Sequence, residues 1–497
     1  MKKILYIIPA VLLAFSCSFE DIQPQQSINA SEAYGTSTDI DVALIGMYDR
    51  FQDGDVGGCN ITLLSDLLEA RNVNWSGSFT SYQDVFRKQM DAVNGEAVAL
   101  WLDGYETILA ANAILDALPN VEPGPGVDIE DYRNRARGEA LAMRAIVHFE
   151  IVRYFGESPY VAETTPAQNT QLGIPIITSA EFNFEEIENP DNLPERATVG
   201  EVYQQVIADL EEAEGLGTVY NAPGFINVDV IRAYLLKVRM QQGEWAEVER
   251  LADLIIPNYA LSPTLRAYFD DEAGNNQESI FQVLHNETDS PGVNGSLSTF
   301  YNSRGRNDIQ ITQAYLALVS DLFNARQTNE ITTNNYTTTD QRYASNLVTA
   351  DQTTNKYEDF VNVADNAPIC RLAEILLSKA EALAEQNGVD QDAIDLLNQV
   401  RARSIEVFDD SGLPVTGAAA EAVINYEVAD FANGQELLDA ILLERRVELA
   451  FEGHAYHDAV RRGTVPPLGP NAVSYTFPIP QRELDNNSKL VQNPDYN

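Results

Sequence analysis

Apolar residues recur every three or four positions through several long segments of the chain, which is the pattern of amphipathic α-helices. The clearest segment covers residues 136–155, where two adjacent apolar stripes predict a helix buried over a wide face. Gly156 follows the last periodic residue and predicts a left-handed C-terminal cap. The same period predicts further helices over residues 199–214, 230–242, 244–256, 369–386, 391–403 and 435–462. The pattern therefore indicates a mainly α-helical protein.

Two pairs of the predicted helices resemble tetratricopeptide helical hairpins. In each pair a glycine, Gly243 or Gly388, separates two helical segments that carry small residues where the helices would approach each other. Long tracts rich in Asn, Thr, Asp, Gly and Pro lie between the helices, at residues 157–197 and 257–367. Because loops of this length in a compact protein usually bind ligands or contain short strands, we expect the ligand to contact these tracts.

The first residues of the chain have the pattern of an export signal. Two lysines precede an apolar run over residues 4–15, which is too short to span a bilayer as a helix. The run ends with a small residue just before Cys17. We therefore predict a signal peptide over residues 1–16, a lipid on Cys17 and a polar tether over residues 17–35. Ordinary secretion with a chance cysteine is the alternative.

The charge balance of the chain argues against nucleic acid as a partner. Acidic residues outnumber basic residues 75 to 32, which gives a formal net charge of −43. This excess leaves no basic stripe that could neutralise phosphates. A charge of this sign keeps a folded surface solvated and identifies no ligand by itself.

The cysteine and histidine spacings favour structural roles over metal or redox chemistry. Cys59 and Cys370 lie far apart without metal-ligand spacing, so we predict isolated buried thiols, although the sequence leaves a long-range disulfide open. His454 and His457 could ligate a metal from one helix face, but no further ligand is identifiable and we favour packing at a helix end. We predict no cofactor; loop carboxylates and carbonyls could hold a structural calcium ion.

The acidic residues do not identify a catalytic pair. With 75 of them, two carboxylates at the separation found in glycosidases must occur somewhere by chance. Arg445 and Arg446 border an apolar stripe in the segment ILLERRVELAFEGHAYHDAVRRG, and Glu444 and Glu448 are their nearest candidate partners. We interpret this segment as architecture and predict that the protein is not an enzyme.

Trp75 is the clearest candidate for a carbohydrate-binding residue. It lies among Asn, Ser and Gly, whereas the other two tryptophans lie in helical apolar patterns. We expect its ring to be exposed and to stack on a sugar, with Arg71 and Asn74 as flanking hydrogen-bond donors. A tryptophan folded back onto the core is the alternative. Tyr301 and Arg304 in the segment FYNSRGRND form a second candidate site.

Four segments of the C-terminal half have an order and content typical of a known family. They are APICRLAEILLSKAEALAEQNG, AIDLLNQVRAR, ELLDAILLERRVELAFEGHAYHDAVRRG and FPIPQRELDNNSKLVQNPDY. Together with the predicted lipid on Cys17, the acidic Glu20 and Asp21 that follow it, and the helix GEALAMRAIVHFEIVRYFG, they resemble the SusD/RagB family of outer-membrane nutrient-binding lipoproteins of Bacteroidota. The resemblance covers residues 17–497.

The resemblance implies a SusD-like domain over residues 36–497, with halves of about 36–260 and 261–497. It implies an α-α superhelix of tetratricopeptide-like hairpins that supports a loop-rich ligand-binding face, without catalysis. It also implies a lipid-anchored, surface-exposed position on the outer membrane, and a SusC-like TonB-dependent transporter as partner. We expect the protein to capture an oligosaccharide or polysaccharide and deliver it to that transporter. A peptide-binding lipoprotein of the same architecture and a surface glycosidase are the alternatives.

Overall fold

The computed structural model describes residues 33–157, 170–180, 190–217, 223–271, 274, 276–324 and 334–496. The predicted signal peptide and Cys17 lie outside these residues. Within them the protein is mainly α-helical, with a few short strands, which confirms the predicted fold class.

Nineteen α-helices occur in the described part of the chain. The first eight include most of the long helices: α1 (Ser37–Gln52), α2 (Asn60–Glu69), α3 (Thr80–Arg87), α4 (Gly95–Ala117), α5 (Ile129–Phe155), α6 (Val199–Gly215), α7 (Val228–Gln242) and α8 (Trp245–Ile255). The others are α9 (Leu265–Phe269), α10 (Gly292–Gly295), α11 (Leu297–Tyr301), α12 (Gln313–Asn324), α13 (Gln341–Ala344), α14 (Leu372–Asn387), α15 (Gln391–Ser404), α16 (Ala418–Ile424), α17 (Gly434–Glu448), α18 (Ala455–Arg461) and α19 (Gln481–Asn486).

Polar caps and glycines fix where several helices begin and end. Thr36 caps α1: its hydroxyl accepts a hydrogen bond from the Asp39 amide at 3.3 Å, and the Asp39 carboxylate accepts one from the Thr36 amide at 2.9 Å. Gly243 and Gly388 end α7 and α14 with φ of 74° and 77°, which only glycine adopts without strain. The predicted left-handed cap at Gly156 is wrong, because this residue has φ −65° and ψ 138° and continues as extended chain.

The long helices pack in series. Helix α1 packs against α4, α4 against α5, α5 against α6, α6 against α7 and α7 against α8. The two predicted hairpins are α7–α8 and α14–α15, and α8 packs against α14, so the series continues into the C-terminal half. Helix α17 then covers α14. This serial packing agrees with the α-α superhelix that the family resemblance implied.

Two predicted helices differ from the structure at positions where tertiary contacts decide the backbone. The predicted helix 369–386 begins as a strand and becomes helical only at Leu372. The predicted helix 435–462 is divided into α17 and α18. At this break Phe451 and Gly453 have φ of 67° and 82°, and a Cβ on Gly453 would lie 3.0 Å from the Cα of Thr62.

Nine short strands occur in the described residues, and all pair antiparallel. They are β1 (Val73–Trp75), β2 (Ser279–Val283), β3 (Ile309–Ile311), β4 (Thr337–Asp340), β5 (Leu347–Val348), β6 (Thr353–Thr354), β7 (Ala367–Arg371), β8 (Ile405–Phe408) and β9 (Pro414–Val415). The sheets have the orders β1–β3, β2–β7, β4–β8–β9 and β5–β6. Strands β2 to β6 lie within the tract 257–367, where the loop composition predicted small pieces of sheet.

Helix α4 is a core helix. The region Gly95–Asn120 is long and apolar enough to cross a membrane by length and composition alone, but half of its most apolar window is buried inside the protein. Leu100, Trp101 and Ile108 lie in the hydrophobic core. Packing against α1 and α5 accounts for the apolar composition of this helix.

Buried charges tie β7 to α17 and to the break that follows it. The Arg371 guanidinium is 1% exposed and donates to Glu278 at 2.7 Å, to Glu448 at 2.8 Å and to Glu452 at 2.7 Å. Burial alone would raise the pKa of the Glu452 carboxyl, but Arg371 and Lys356 outweigh it and hold that pKa below its usual value. The network therefore depends on these carboxylates remaining ionised.

The partners predicted for Arg445 and Arg446 are wrong. Glu444 pairs with Arg342 and Arg401, and Glu448 pairs with Arg371 and Arg403. Nε of Arg445 instead donates to Asp458 at 2.7 Å. Glu444 and Glu448 form their ion pairs with arginines on other elements. Spacing along α17 therefore could not identify these pairs. The buried ion pairs of Glu444, Glu448 and Arg445 agree with the structural role predicted for this segment, whereas Arg446 forms no ion pair among the described residues.

Candidate functional site

The structure brings together the two segments that the sequence analysis selected. Strand β1 pairs with β3, so that Asn74 lies opposite Gln310 and Trp75 opposite Ile309. The Ser76 amide donates to the carbonyl of Asp308 at 2.7 Å, which extends the pairing beyond the strands. The tract around Tyr301 and Arg304 therefore lies next to the tract around Trp75, although nearly half the chain separates their sequence positions.

The expectation that Trp75 is exposed is wrong. Its side chain belongs to the hydrophobic core and is 8% exposed, with ring centroids 5.3 Å from Tyr82 and 6.3 Å from Phe300. Gly77 packs against the indole so closely that a Cβ there would lie 2.6 Å from it. Because residues alternate between the two faces of a strand, Val73 and Trp75 point inward and Asn74 points outward. Trp75 supports the surface from below and cannot stack on a ligand in this conformation.

Tyr301 is also buried, contrary to its predicted role. It is 0% exposed, and its hydroxyl donates to the Asp66 carboxylate at 2.5 Å. Burial raises the pKa of Asp66 to about 7. Tyr301 lies at the end of α11 and packs against Tyr357 and Phe451. Its role here is to anchor the loop that carries Arg304.

The remaining predicted residues lie at the surface. Asn74 and Arg304 are exposed, and Arg71 is partly exposed and paired with Glu69. The guanidinium carbon of Arg304 lies 4.4 Å from the ring centroid of Phe360. These residues remain candidates for ligand contact.

Arg306 makes a second pair of the same kind, which the sequence analysis missed. Its guanidinium carbon lies 4.0 Å from the ring centroid of Phe79, and its Nε donates to Asp308 at 2.7 Å. The sequence shows that arginines and aromatic residues occur in polar loops, which is a weak sign of such pairs. Only the fold shows that Phe360 contacts Arg304 and that Phe79 contacts Arg306. We call the following set the ribbon surface: Asn74, Ser76, Phe79, Arg304, Arg306 and Phe360.

An acidic cleft adjoins the ribbon surface. Its volume is about 380 Å³, and it lies between the end of α1, the turn that follows, and the loop that leads into α10. The polar side chains that line it are Asp49, Gln52, Asp53, Asp55, Asp289, Ser290 and Asn294. Nη1 of Arg306 donates to Oδ1 of Asn294 at 3.0 Å, which links the cleft to the ribbon surface.

Two glycines allow the loops of the acidic cleft to meet. A Cβ on Gly54 would lie 2.9 Å from the Cα of Gly295, so a larger residue at position 54 would push the two loops apart. The Gln52 side chain adds a hydrogen bond of 2.7 Å from its Nε2 to the carbonyl of Leu284. The cleft is therefore held by backbone contacts between distant parts of the chain.

A second cavity, of about 240 Å³, continues from the acidic cleft and shares Asp49, Gln52 and Asp289 with it. Aromatic side chains line this part, including Tyr48, Phe225 and Phe281. The rings of Tyr48 and Phe225 meet edge to face with centroids 4.8 Å apart. Carboxylates and amides beside aromatic walls can accept hydrogen bonds from sugar hydroxyls and pack against the apolar faces of sugar rings. The sequence analysis missed this cleft, because its residues are scattered along the chain.

The carboxylates of the cleft affect one another's ionisation. Burial raises the pKa of Asp55 to about 7, and the nearby Asp53, Glu96 and Asp103 add to the effect. Oxygen atoms of Asp53, Asp55 and Asp103 all lie within 4.8 Å of one another. Oxygen donors of this kind fit calcium rather than zinc, so the structural calcium considered from the sequence stays a prediction.

The histidines selected from the sequence lie in the interior. Burial lowers the pKa of both His454 and His457 well below the usual value, and the nearby Lys237 lowers it further. His457 packs edge-on against Tyr154 with centroids 5.2 Å apart. Among the described residues, no metal-ligating group of three includes either histidine. The structure supports packing at the helix end for both.

Cys59 and Cys370 are free and buried, which confirms isolated thiols. Burial raises the pKa of both thiol groups well above the usual value. Neither residue contributes to the ribbon surface or to the acidic cleft.

The fold and these surfaces define a class of protein: a helical-repeat protein whose candidate binding surfaces lie on the loops between its helices. Comparison with known sequences identifies the family. The family described as "SusD family" matches residues 299–466, and the family described as "Starch-binding associating with outer membrane" matches residues 20–218. The chain belongs to the SusD/RagB family, as the sequence motifs indicated, and this family is associated with the outer membrane.

Two similar proteins come from Formosa agariphila. The SusD-like protein P38 is 26% identical to this chain, over an alignment that covers 97% of this chain and 96% of P38. The SusD-like protein P2 is 24% identical, and the alignment covers 99% of each protein. The whole chain therefore corresponds to the whole of these relatives.

Solved structures show the same fold. A SusD superfamily protein of Bacteroides thetaiotaomicron superposes with a TM-score of 0.73 at 23% identity, covering 92% of this chain and 100% of that protein. A laminarin-binding SusD-like protein has a TM-score of 0.63 at 22% identity, covering 93% and 100%. Surface glycan-binding protein A of Bacteroides thetaiotaomicron has a TM-score of 0.66 at 18% identity, covering 93% and 99%.

Proposed function

We propose that the protein is a lipid-anchored lipoprotein on the cell surface that captures an oligosaccharide or polysaccharide and delivers it to a SusC-like TonB-dependent transporter. The observation that carries this proposal is the acidic cleft with its aromatic extension, joined to the ribbon surface through Arg306 and Asn294. Relatives of the same fold support the ligand class, because their descriptions include laminarin binding and surface glycan binding.

The cleft supplies the two interactions that sugar recognition needs. The carboxylates of Asp49, Asp53 and Asp289 accept hydrogen bonds from hydroxyl groups, and charge-assisted bonds of this kind are stronger than neutral ones. Tyr48 and Phe225 offer apolar surface to the ring faces. Binding energy therefore comes from hydrogen bonds and apolar contact, and no covalent step is part of the proposal.

The ribbon surface extends the binding area beyond the cleft. Asn74 offers an amide, and Arg304 offers guanidinium N–H groups to hydroxyl oxygens. Arg304 covers one face of Phe360, so a sugar could stack on that ring only after the arginine moves aside. We propose Asn74 and Arg304 as polar contacts to the ligand, with Arg71, two residues before β1, as a further contact.

A glycan array and a peptide array, each probed with the purified protein, test the ligand class. We expect binding to a group of related glycans and none to peptides. Binding confined to peptides would contradict the proposal and favour the peptide-binding alternative. Incubation with the bound glycan should release no reducing sugar, whereas release would show a surface glycosidase.

A further inference from the structure

A pocket of about 250 Å³ lies beside Arg71, where the chain enters β1. Leu442, Leu443 and Leu449 form an apolar wall. Four arginines also line the pocket: Arg71, Arg445, Arg446 and Arg462. It shares no lining residue with the acidic cleft and no residue with the ribbon surface. We call it the arginine pocket.

Three of the four arginines are neutralised by carboxylates. The pairs are Arg71 with Glu69, Arg445 with Asp458, and Arg462 with Glu381 and Glu385. Within the lining itself, the acidic side chains are Glu69 and Asp458. The pocket is therefore locally positive in a chain whose formal net charge is −43.

Arg446 is the exception among the four. Its Nε and Nη2 donate to Oδ1 of Asn72 at 3.0 and 2.7 Å. Among the described residues no carboxylate lies within ion-pair distance of Arg446, and its Nη1 makes no hydrogen bond. The amide oxygen of Asn72 is neutral, so this partly buried guanidinium has no direct ion pair among the described residues, and only the more distant Glu69 offsets its charge. Burial lowers the pKa of Arg446; the nearby Glu69 opposes this shift, and Arg71 adds to it.

We propose that the arginine pocket binds the carboxylate or sulfate group of an acidic sugar within the glycan, a refinement that rests on the glycan-binding function proposed above. A planar guanidinium with unused N–H donors matches the oxygens of such an anion. The leucine wall can cover the apolar face of the sugar that carries it. An anion in the pocket would give Arg446 the direct ion pair that it lacks among the described residues.

The position of the pocket favours a glycan over a peptide as the source of the anion. Asn72 in the pocket is two residues from Asn74 on the ribbon surface, which corresponds to roughly 7 Å along an extended chain. An oligosaccharide on the ribbon surface can therefore reach the pocket. The overall negative charge repels acidic glycans at a distance, so a protein that selects one needs a local positive contact of this kind.

Titration of the full-length protein in detergent micelles with three monosaccharides, at low ionic strength, tests the proposal. The probes are glucuronate, glucose 6-sulfate and glucose, followed by ligand-observed NMR. We expect at least one acidic sugar to bind about tenfold more tightly than glucose. Arg446→Met should abolish this preference. Arg446→Lys should retain part of it, because lysine keeps the positive charge but lacks the planar guanidinium that donates two parallel hydrogen bonds.

Two further variants keep the test decisive. Asn72→Asp places a carboxylate against Arg446 at nearly unchanged volume, and it should abolish the preference even if Arg446→Met fails to fold. Arg87→Met changes an exposed arginine at the end of α3, outside the pocket, and should leave the preference intact. Thermal unfolding of each variant checks that it is folded.

Three results would overturn the proposal. Acidic sugars could bind no more tightly than glucose, or the preference could survive both Arg446→Met and Asn72→Asp. Alternatively, N-acetylglutamate amide could bind as tightly as glucuronate, which would assign the pocket to an acidic peptide segment. If the glycan array is positive while the acidic preference is absent, only this inference fails; if no glycan binds at all, the proposed function fails with it.

Discussion

At the scale of single residues, the buried Asp66 makes the free energy of unfolding depend on pH. One of its oxygens accepts a hydrogen bond from Tyr301, and the other has no partner among the described residues. Burial raises its pKa from 3.8 to about 7. The folded state therefore keeps a proton that the unfolded chain releases between these values. Stability is lost as the pH rises through this window, and the loss is complete above about pH 7.

Asp66→Asn should remove this pH dependence. Asparagine keeps an oxygen that can accept from Tyr301 but cannot ionise, so the variant should gain about 1–3 kcal/mol relative to the wild type at pH 8. At pH 4 the two proteins should differ little. Chemical denaturation at both pH values measures the difference, and an equal effect at the two values would contradict the assigned pKa.

Trp75 and Asn74 are neighbours with opposite predicted roles. Trp75→Ala should destabilise the protein by about 3–5 kcal/mol, because it removes a large buried ring that contacts Tyr82 and Phe300. Asn74→Ala should change stability by less than about 0.5 kcal/mol and weaken glycan binding several-fold. Thermal unfolding and glycan titration of both variants separate these roles. Unchanged stability in Trp75→Ala would show that the indole is exposed after all.

The sequence could identify where the loop residues lie along the chain but not which way they point. The segment RNVNWSGSF contains residues typical of a loop, yet three of them form a strand, and strand alternation turns Trp75 inward. The same alternation turns Asn74 outward, so its expected position at the surface is correct although it lies on a strand and not in a loop. The acidic cleft could not be predicted, since Asp49, Asp53 and Asp289 come together only where the end of α1 meets a distant loop.

At the scale of secondary-structure elements, one cation holds several elements together. Arg371 at the end of β7 bonds to Glu278 before β2 and to Glu448 and Glu452 at and after the end of α17. All four side chains are buried, so each charge depends on the others for compensation. These ion pairs hold the segments APICR and ERRVELAFEG against each other, although a long stretch of chain separates them.

Arg371→Met should destabilise the protein by about 3–5 kcal/mol, because it leaves three carboxylates buried with fewer cations. The matched control is Arg250→Met, which removes an exposed arginine paired with Glu247 on α8 and should cost less than about 0.5 kcal/mol. Urea unfolding of both variants measures the difference. Equal, small effects would refute the importance of the buried network.

The sequence predicted the bounds of the helices better than it predicted the contacts between elements. The apolar period gave α6, α7, α8 and α15 to within about two residues, because a buried stripe repeats with the helical period. The break between α17 and α18 could not be predicted, since it depends on the close approach of Gly453 to α2. The partners of Glu444 were missed because Arg342 and Arg401 approach it from other elements.

At the scale of the whole molecule, the proposed membrane anchor depends on Cys17. Cys17→Ser should move the protein from the membrane fraction to a soluble fraction, because the predicted lipid would no longer be attached. Fractionation without detergent, in a strain that lacks the proposed partner transporter, measures this directly. A variant that still sediments with outer membranes would contradict the lipid anchor.

The central claim is that the acidic cleft and its aromatic extension bind a glycan. Calorimetric titration with the tightest-binding glycan from the array, on wild type and three variants, tests it most directly. Phe225→Ala and Asp289→Asn should each weaken binding by about 1–3 kcal/mol, which is roughly five- to a hundredfold in affinity. Asp410→Asn, an exposed acid at the turn between β8 and β9, should leave affinity unchanged. Wild-type affinity in both cleft variants, with normal unfolding temperatures, would contradict the claim.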